Sequence, residues 1–236
     1  KWTFPMNIKI DKDDFDFLNR HKISEVTFGS HLYGTNTPES DRDILIIYYH
    51  EFGVADCYPN HHLLQYDSVE DNTQYLFATP TQVTRNMFSG DSTIFADITM
   101  FSATQTLPKE EILNLVRTYN IIKAYIGFAK RDIKQIKKGK NKKFHILRGL
   151  YTAECLLDNK LPELDIIRHI FEHNSIVDDF VVEDAIALEF ELRKRCNEMF
   201  ENDELTMFPK NNIAKVESSL EQKIIDAQNI KMFKYD

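Results

Sequence analysis

The stretch Val26-Thr27-Phe28-Gly29-Ser30-His31-Leu32-Tyr33-Gly34-Thr35-Asn36-Thr37-Pro38-Glu39-Ser40-Asp41-Arg42-Asp43-Ile44-Leu45-Ile46-Ile47-Tyr48 decides how this chain is read. Its two ends are strands, Ile23–Phe28 and Asp43–Tyr48, and its middle is polar and rich in turn formers. The loop from His31 to Arg42 closes the strands into a hairpin. Gly29 has no Cβ, so the backbone can turn sharply there and lie close to a ligand. Ser30 adds a hydroxyl at the same turn. Asp41 and Asp43 stand two apart at the head of the second strand. Strand side chains alternate faces, so both carboxylates point the same way. Like charges side by side repel unless a cation lies between them. A hard divalent ion with oxygen ligands, Mg2+ or Mn2+, suits the pair. Taken alone, Thr37-Pro38-Glu39-Ser40-Asp41 is also ordinary turn chemistry. The order Gly-Ser, polar loop, Asp-x-Asp, apolar strand sets it apart.

That order, Gly29-Ser30 followed by Asp41-x-Asp43 and Ile44-Leu45-Ile46-Ile47, resembles the active-site motif of the DNA-polymerase-β-like nucleotidyltransferase superfamily. The fuller string Gly29-Ser30-His31-x-Tyr33-Gly34-x-x-Thr37-Pro38-x-Ser40-Asp41-x-Asp43 is similar to one branch, the RNA-repair-associated predicted nucleotidyltransferases. The resemblance implies Mg2+ held by Asp41 and Asp43, an NTP whose phosphates meet Gly29 and Ser30, and transfer of a nucleoside monophosphate to an acceptor, with RNA as the expected acceptor. It also implies a third carboxylate from a later strand. Counting back without gaps from Ser89-Gly90-Asp91-Ser92-Thr93 puts that position on Gln74, a neutral residue. Asp71 can serve if the strand carries a bulge, and Asp97 is a further candidate. Asp71 is the expected third catalytic acid.

Working outward, Met6–Ile10 reads as a strand and Asp11–Arg20 as a short helix capped by Asp11. His50–His61 loses periodicity and reads as loop. His61 and His62 are adjacent and suit exposed loop positions better than one shared ion. Leu63–Val69 and Thr73–Ala78 are two strands around the turn Glu70-Asp71-Asn72. Thr79 caps, and Pro80 opens, a helix that stops at Gly90. Asp91-Ser92-Thr93 leads into Ile94–Met100, where Asp97 is either a supporting residue behind the site or a surface acid.

Leu107-Pro108 marks the expected domain boundary, giving a nucleotidyltransferase domain at 1–108 and a helical domain at 109–236. Beyond it the apolar period changes from two to 3.6. Ile112, Leu115, Val116, Tyr119, Ile122, Ile126, Ile133 and Ile136 make one face of a helix spanning Glu110–Lys138, with a bend expected at Gly127. Phe144–Leu157, Leu164–Glu172, Val177–Phe200 and Asn211–Asn229 read as further helices. The fold class is therefore α+β, a small mixed sheet with flanking helices followed by a helical part.

The 236 residues carry a net charge of −8, with 42% hydrophobic and 28% charged, an ordinary balance for a soluble chain large enough to bury a core. An acidic whole argues against broad nonspecific binding to nucleic acid. A local basic run opposes it: Lys130, Arg131, Lys134, Lys137, Lys138, Lys140, Lys142, Lys143 and Arg148. Lysines before Gly139 suit a solvated helix end. Lys143, His145 and Arg148 resemble a Lys/His/Arg helix of the same family, which implies nucleotide-phosphate contacts from these three. The three cysteines, Cys57, Cys155 and Cys196, show no zinc spacing or disulfide framework, so a reducing, cytoplasmic setting is expected. No apolar run approaches the ~18 residues of a membrane span, and no secretory signal opens the chain. The competing expectations are a nucleotide- or RNA-binding relative that has lost catalysis, and a transferase acting on protein side chains.

Overall fold

The computed structural model describes residues 7–49, 63–90, 92–102, 107–173 and 182–207. The His61-His62 pair, Cys57, Asp91 and the expected helix at 211–229 lie outside them. By proximity of the backbone the chain forms two compact units. Among described residues, the first holds 7–32 and 36–86, and the second holds Tyr33–Thr35 and the chain from Met87 onward.

In the first unit β1 (Ile8–Lys9), β2 (Lys22–Phe28), β3 (Arg42–Tyr48), β4 (Leu64–Ser68) and β5 (Thr73–Ala78) form one mixed sheet in the order β1-β4-β5-β3-β2. The β2–β3 and β4–β5 pairs are antiparallel, and β1–β4 and β3–β5 are parallel. The β2–β3 pair is the hairpin read from the sequence, with a short helix, α2 (Gly29–Tyr33), set into its connection. Helix α1 (Lys12–Arg20) starts where expected, because the Asp11 carboxylate accepts from the Asp14 amide at 2.9 Å.

Helix α1 lays Phe15 and Leu18 on one sheet face against Ile44, Ile46, Tyr48, Leu64 and Phe77. The Phe15 ring lies 4.5 Å from that of Tyr66 and 4.9 Å, edge-on, from that of Tyr75. Every second residue of β3 thus faces α1. By alternation Asp43, Leu45 and Ile47 face the other way, and Leu45 is buried there as well. This is why Ile44–Ile47 reads as an unbroken apolar run.

Helix α3 (Pro80–Ser89) starts on a reciprocal cap. The Thr79 hydroxyl accepts from the Gln82 amide at 3.3 Å, and the Gln82 side-chain oxygen accepts from the Thr79 amide at 2.9 Å. The second unit is helical: α4 (Ile94–Phe101), α5 (Lys109–Val116), α6 (Tyr119–Ile136), α7 (Lys143–Leu157), α8 (Leu164–His173) and α9 (Val182–Glu201). Helix α6 packs on α7 and α9 around Ile122, Tyr125, Ala129, Ile146, Ala153 and Leu156, all fully buried. Helix α4, placed before the domain boundary by the sequence, packs against α5 within this unit.

The single helix expected over Glu110–Lys138 is instead two helices, and the break lies at Arg117–Thr118, while Gly127 sits inside an uninterrupted α6. Thr118 is wholly buried and extended, and its hydroxyl accepts from the Ile121 amide. The Arg117 Nε donates to the Leu156 carbonyl at 3.1 Å. A satisfied cap at Thr118 gives the backbone a partner outside the helix, so the apolar period continues through a chain that restarts.

Candidate active site

Strand β2 ends on buried Phe28, which pairs with Asp43 across the hairpin. Gly29 follows with φ of +67°, a left-handed conformation that side-chain-bearing residues rarely adopt. It is also in close contact: a Cβ there would overlap Oδ2 of Asp43 and lie 3.0 Å from its Cγ. The Asp43 carboxylate therefore rests on the Gly29 backbone, at the turn where α2 begins. The connection returns through a turn in which the Ser40 amide donates to the Thr37 carbonyl at 3.0 Å and the Thr37 amide to the Ser40 hydroxyl at 2.9 Å. Pro38 fills the second position of that turn, where its fixed φ fits. The Arg42 amide donates to the Asn72 carbonyl at 3.0 Å, which ties the head of β3 to the β4–β5 turn.

Asp41 is exposed and Asp43 is half-buried. The pKa of Asp43 is raised to about 6, first by burial and then by the charge of Asp41. A divalent cation would relieve both causes, so this donor set fits Mg2+ or Mn2+. Among the described residues, no group of three or more His, Cys, Asp or Glu gathers to hold a metal.

The sheet register places Gln74 opposite Asp43 and Asp67 opposite Gln74. Asp43, Gln74 and Asp67 thus form one row across three strands, on the face away from α1. Gln74 Nε2 points to Asp67 Oδ1 at 3.4 Å. That oxygen also accepts from Gln65 at 2.6 Å, and Lys9 pairs with the same carboxylate. The Gln65 bond and the Lys9 ammonium hold the pKa of Asp67 below its usual value.

Asp71 stands elsewhere. It is exposed in the β4–β5 turn, and its carboxylate accepts from the Tyr75 hydroxyl at 3.0 Å. The Tyr75 ring packs on Phe15, on the α1 face. The Ser68 hydroxyl chiefly, with Tyr75 and Thr73, lowers the pKa of Asp71. The gapless count from Gly90 therefore finds the residue in register with Asp43, and no bulge shifts Asp71 into its place.

Asp97 is buried inside the helical unit, 5% exposed, and so is no surface acid. The Tyr125 hydroxyl donates to it at 2.6 Å, and Arg148 lies 3.7 Å from its other oxygen. Burial raises its pKa against the opposing pull of Arg148. Lys143, His145 and Arg148 belong to the helical unit, on the first two turns of α7. Lys143 is half-buried and His145 exposed. The Arg148 guanidinium is turned inward, over the Tyr33 ring at 4.5 Å. The sequence assigned no role to Asp67 or Tyr33. Tyr33 stands in the Gly-Ser-His-x-Tyr-Gly string, and only the structure gives it a partner.

Residues 9–96 match the family model of the nucleotidyltransferase domain. No curated protein matches the chain. The matched span contains Gly29, Ser30, Asp41 and Asp43 and all of the sheet but Ile8.

Proposed function

We propose that this protein binds an NTP together with a divalent cation at Asp41 and Asp43 and transfers the nucleoside monophosphate to a hydroxyl of RNA, in RNA repair or end modification. The observation that carries this reading is the Asp43 carboxylate seated against the backbone of Gly29, with Asp41 two residues before it. It sits within the span that matches a nucleotidyltransferase domain.

Asp41 and Asp43 would hold Mg2+, or Mn2+, which when bound neutralises triphosphate charge and polarises the phosphoryl group under attack. The chain's own part is positioning. Gly29 leaves room for the Asp43 carboxylate to sit against the backbone, and Ser30 at the same turn would offer a hydroxyl and a backbone N–H to phosphate oxygens. In the transfer, the acceptor oxygen bonds to the α-phosphorus, the α–β bridging bond breaks, pyrophosphate leaves, and the acceptor proton passes to solvent. Lys140, exposed between α6 and α7, and Lys142 and Lys143 after it form a local basic stretch in an otherwise acidic chain, which favours a polyanionic acceptor. Cys155 and Cys196 are free thiols, in keeping with a reducing, cytoplasmic setting.

One observation favours a second reading. Gln74, in register with Asp43, offers an amide where a third carboxylate would assist the acceptor. A protein that binds the nucleotide without transferring it would look like this. Incubation with each α-labelled NTP, Mg2+ or Mn2+, and total RNA separates the readings. Label in RNA, lost in Asp41→Ala/Asp43→Ala, supports the transferase. Label in protein moves the acceptor to a side chain. Binding without label in either supports the second reading.

A further inference from the structure

The Gly29-Ser30 turn opens α2, and the last residue of α2, Tyr33, is built into a buried polar cluster of the helical unit. Tyr33 is 4% exposed. Its ring carries the Arg148 guanidinium on its face at 4.5 Å and meets Phe101 edge-on at 5.6 Å. Its carbonyl accepts from Arg168 Nε at 3.0 Å. Gly34, with φ of +69°, passes so close that a Cβ there would lie 2.9 Å from the same nitrogen. In the same cluster, Asp97 receives the Tyr125 hydroxyl and faces Arg148. Arg148 itself is 17% exposed, and its Nε is buried without a hydrogen-bond partner.

A cation held this far from water, with one donor unsatisfied, is costly for a helix core and is retained only where something compensates. Three features of the cluster compensate: the Asp97 carboxylate, the Tyr33 ring and, at 6.0 Å, the Phe144 ring. Of these only Tyr33 belongs to the segment that follows Gly29-Ser30. We infer that Arg148 is a positioning residue, fixing the end of α2 through Tyr33 and so setting the conformation of the Gly29-Ser30 turn four residues upstream. The role rests on the nucleotide reading of that turn. It differs from the phosphate contact that the family resemblance implies for Arg148, because here the guanidinium acts through a ring of its own chain.

The test is a double-mutant cycle on full-length protein, with calorimetric Kd for Mg-NTP as one readout and hydrogen exchange of the 29–35 amides as the other. Tyr33→Leu, which leaves the guanidinium in place, is expected to weaken nucleotide binding about as much as Arg148→Met, tenfold or more for each. The double variant should be no worse than either single one. Amides 29–35 should exchange faster in each variant while β4 and β5 keep wild-type rates. Should Arg148→Met fail to fold, Arg148→Lys, which keeps charge and loses the planar fork, replaces it in the same cycle. Wild-type affinity in Tyr33→Leu, or additive losses in the double variant, would overturn the inference and return Arg148 to direct phosphate contact. Unchanged exchange at 29–35 would overturn it as well. If the wild-type protein binds no NTP, the nucleotide reading fails, and the exchange readout still decides whether Arg148 anchors α2.

Discussion

Asp43 and Gly29 meet so closely across the β2–β3 hairpin that a methyl group on the glycine would overlap the carboxylate. Gly29 also holds φ of +67°. Gly29→Ala is therefore expected to act twice. The left-handed backbone costs roughly 1–2 kcal/mol for a residue with Cβ, and Asp43 must swing off its seat. Thermal or denaturant unfolding should show the first effect. Titration with Mn2+ should show the second, as a loss of affinity larger than the stability loss accounts for. Wild-type Mn2+ affinity in Gly29→Ala would mean that the seat is irrelevant to the ion.

Protonation of Asp43 gives a pH signature. Its pKa moves from the usual 3.8 up to about 6 on folding. A raised carboxylate pKa means the fold favours the protonated form. The stability this contributes is full below 3.8 and is lost as pH rises through about 6. A cation binds the ionised form, so its affinity should run the other way, climbing about tenfold per pH unit through that window and levelling above it. Titrations of Mn2+ across the window check this. In Asp43→Asn, the slope should vanish along with most of the affinity.

The amide at Gln74 leads to a gain rather than a loss. Gln74→Glu would place a third carboxylate between Asp43 and Asp67 in the same row. Without metal, repulsion should lower the melting temperature, since like charges on neighbouring strands destabilise by some tenths of a kcal/mol to about 1 kcal/mol. With Mn2+ present, the variant should recover more stability than wild type does, because a ligand that binds only the folded form stabilises it by mass action. A variant no more responsive to Mn2+ than wild type would place this row outside the ion's reach.

Much of this arrangement was legible in the residues. Period-two alternation and the turn residues gave β2 through β5, and Thr79-Pro80 gave the start of α3. The Asp-x-Asp spacing put two carboxylates at one strand head. Three features were not legible, for physical reasons. Thr118 is a β-branched polar residue inside an unbroken apolar period, and only its tertiary burial makes it a cap. Asp71 and Gln74 differ by three residues in a turn and strand, and strand register, which sequence spacing does not set, decides which one meets Asp43. Arg148 carries a charge that suggests a surface, while its neighbours Asp97, Tyr125 and Tyr33 come from three distant segments.

The helix break offers a check independent of the site. Thr118→Val removes the hydroxyl that receives the Ile121 amide and leaves a similar volume. The expected cost is about 1 kcal/mol, the usual value of an N-cap. Denaturant unfolding measures it, and no loss would mean that the α5–α6 break is held by packing alone.

Asp41, Asp43 and Gly29 together make the proposed nucleotide seat, and a binding titration tests it most directly. Each NTP with Mg2+ is titrated calorimetrically into wild-type protein and into Asp41→Ala/Asp43→Ala. The account predicts saturable binding of at least one nucleotide to the wild type, dependent on the divalent ion, and none to the double variant, with both proteins melting as folded chains. Equal binding to the two proteins, or none to the wild type with any nucleotide, would contradict it.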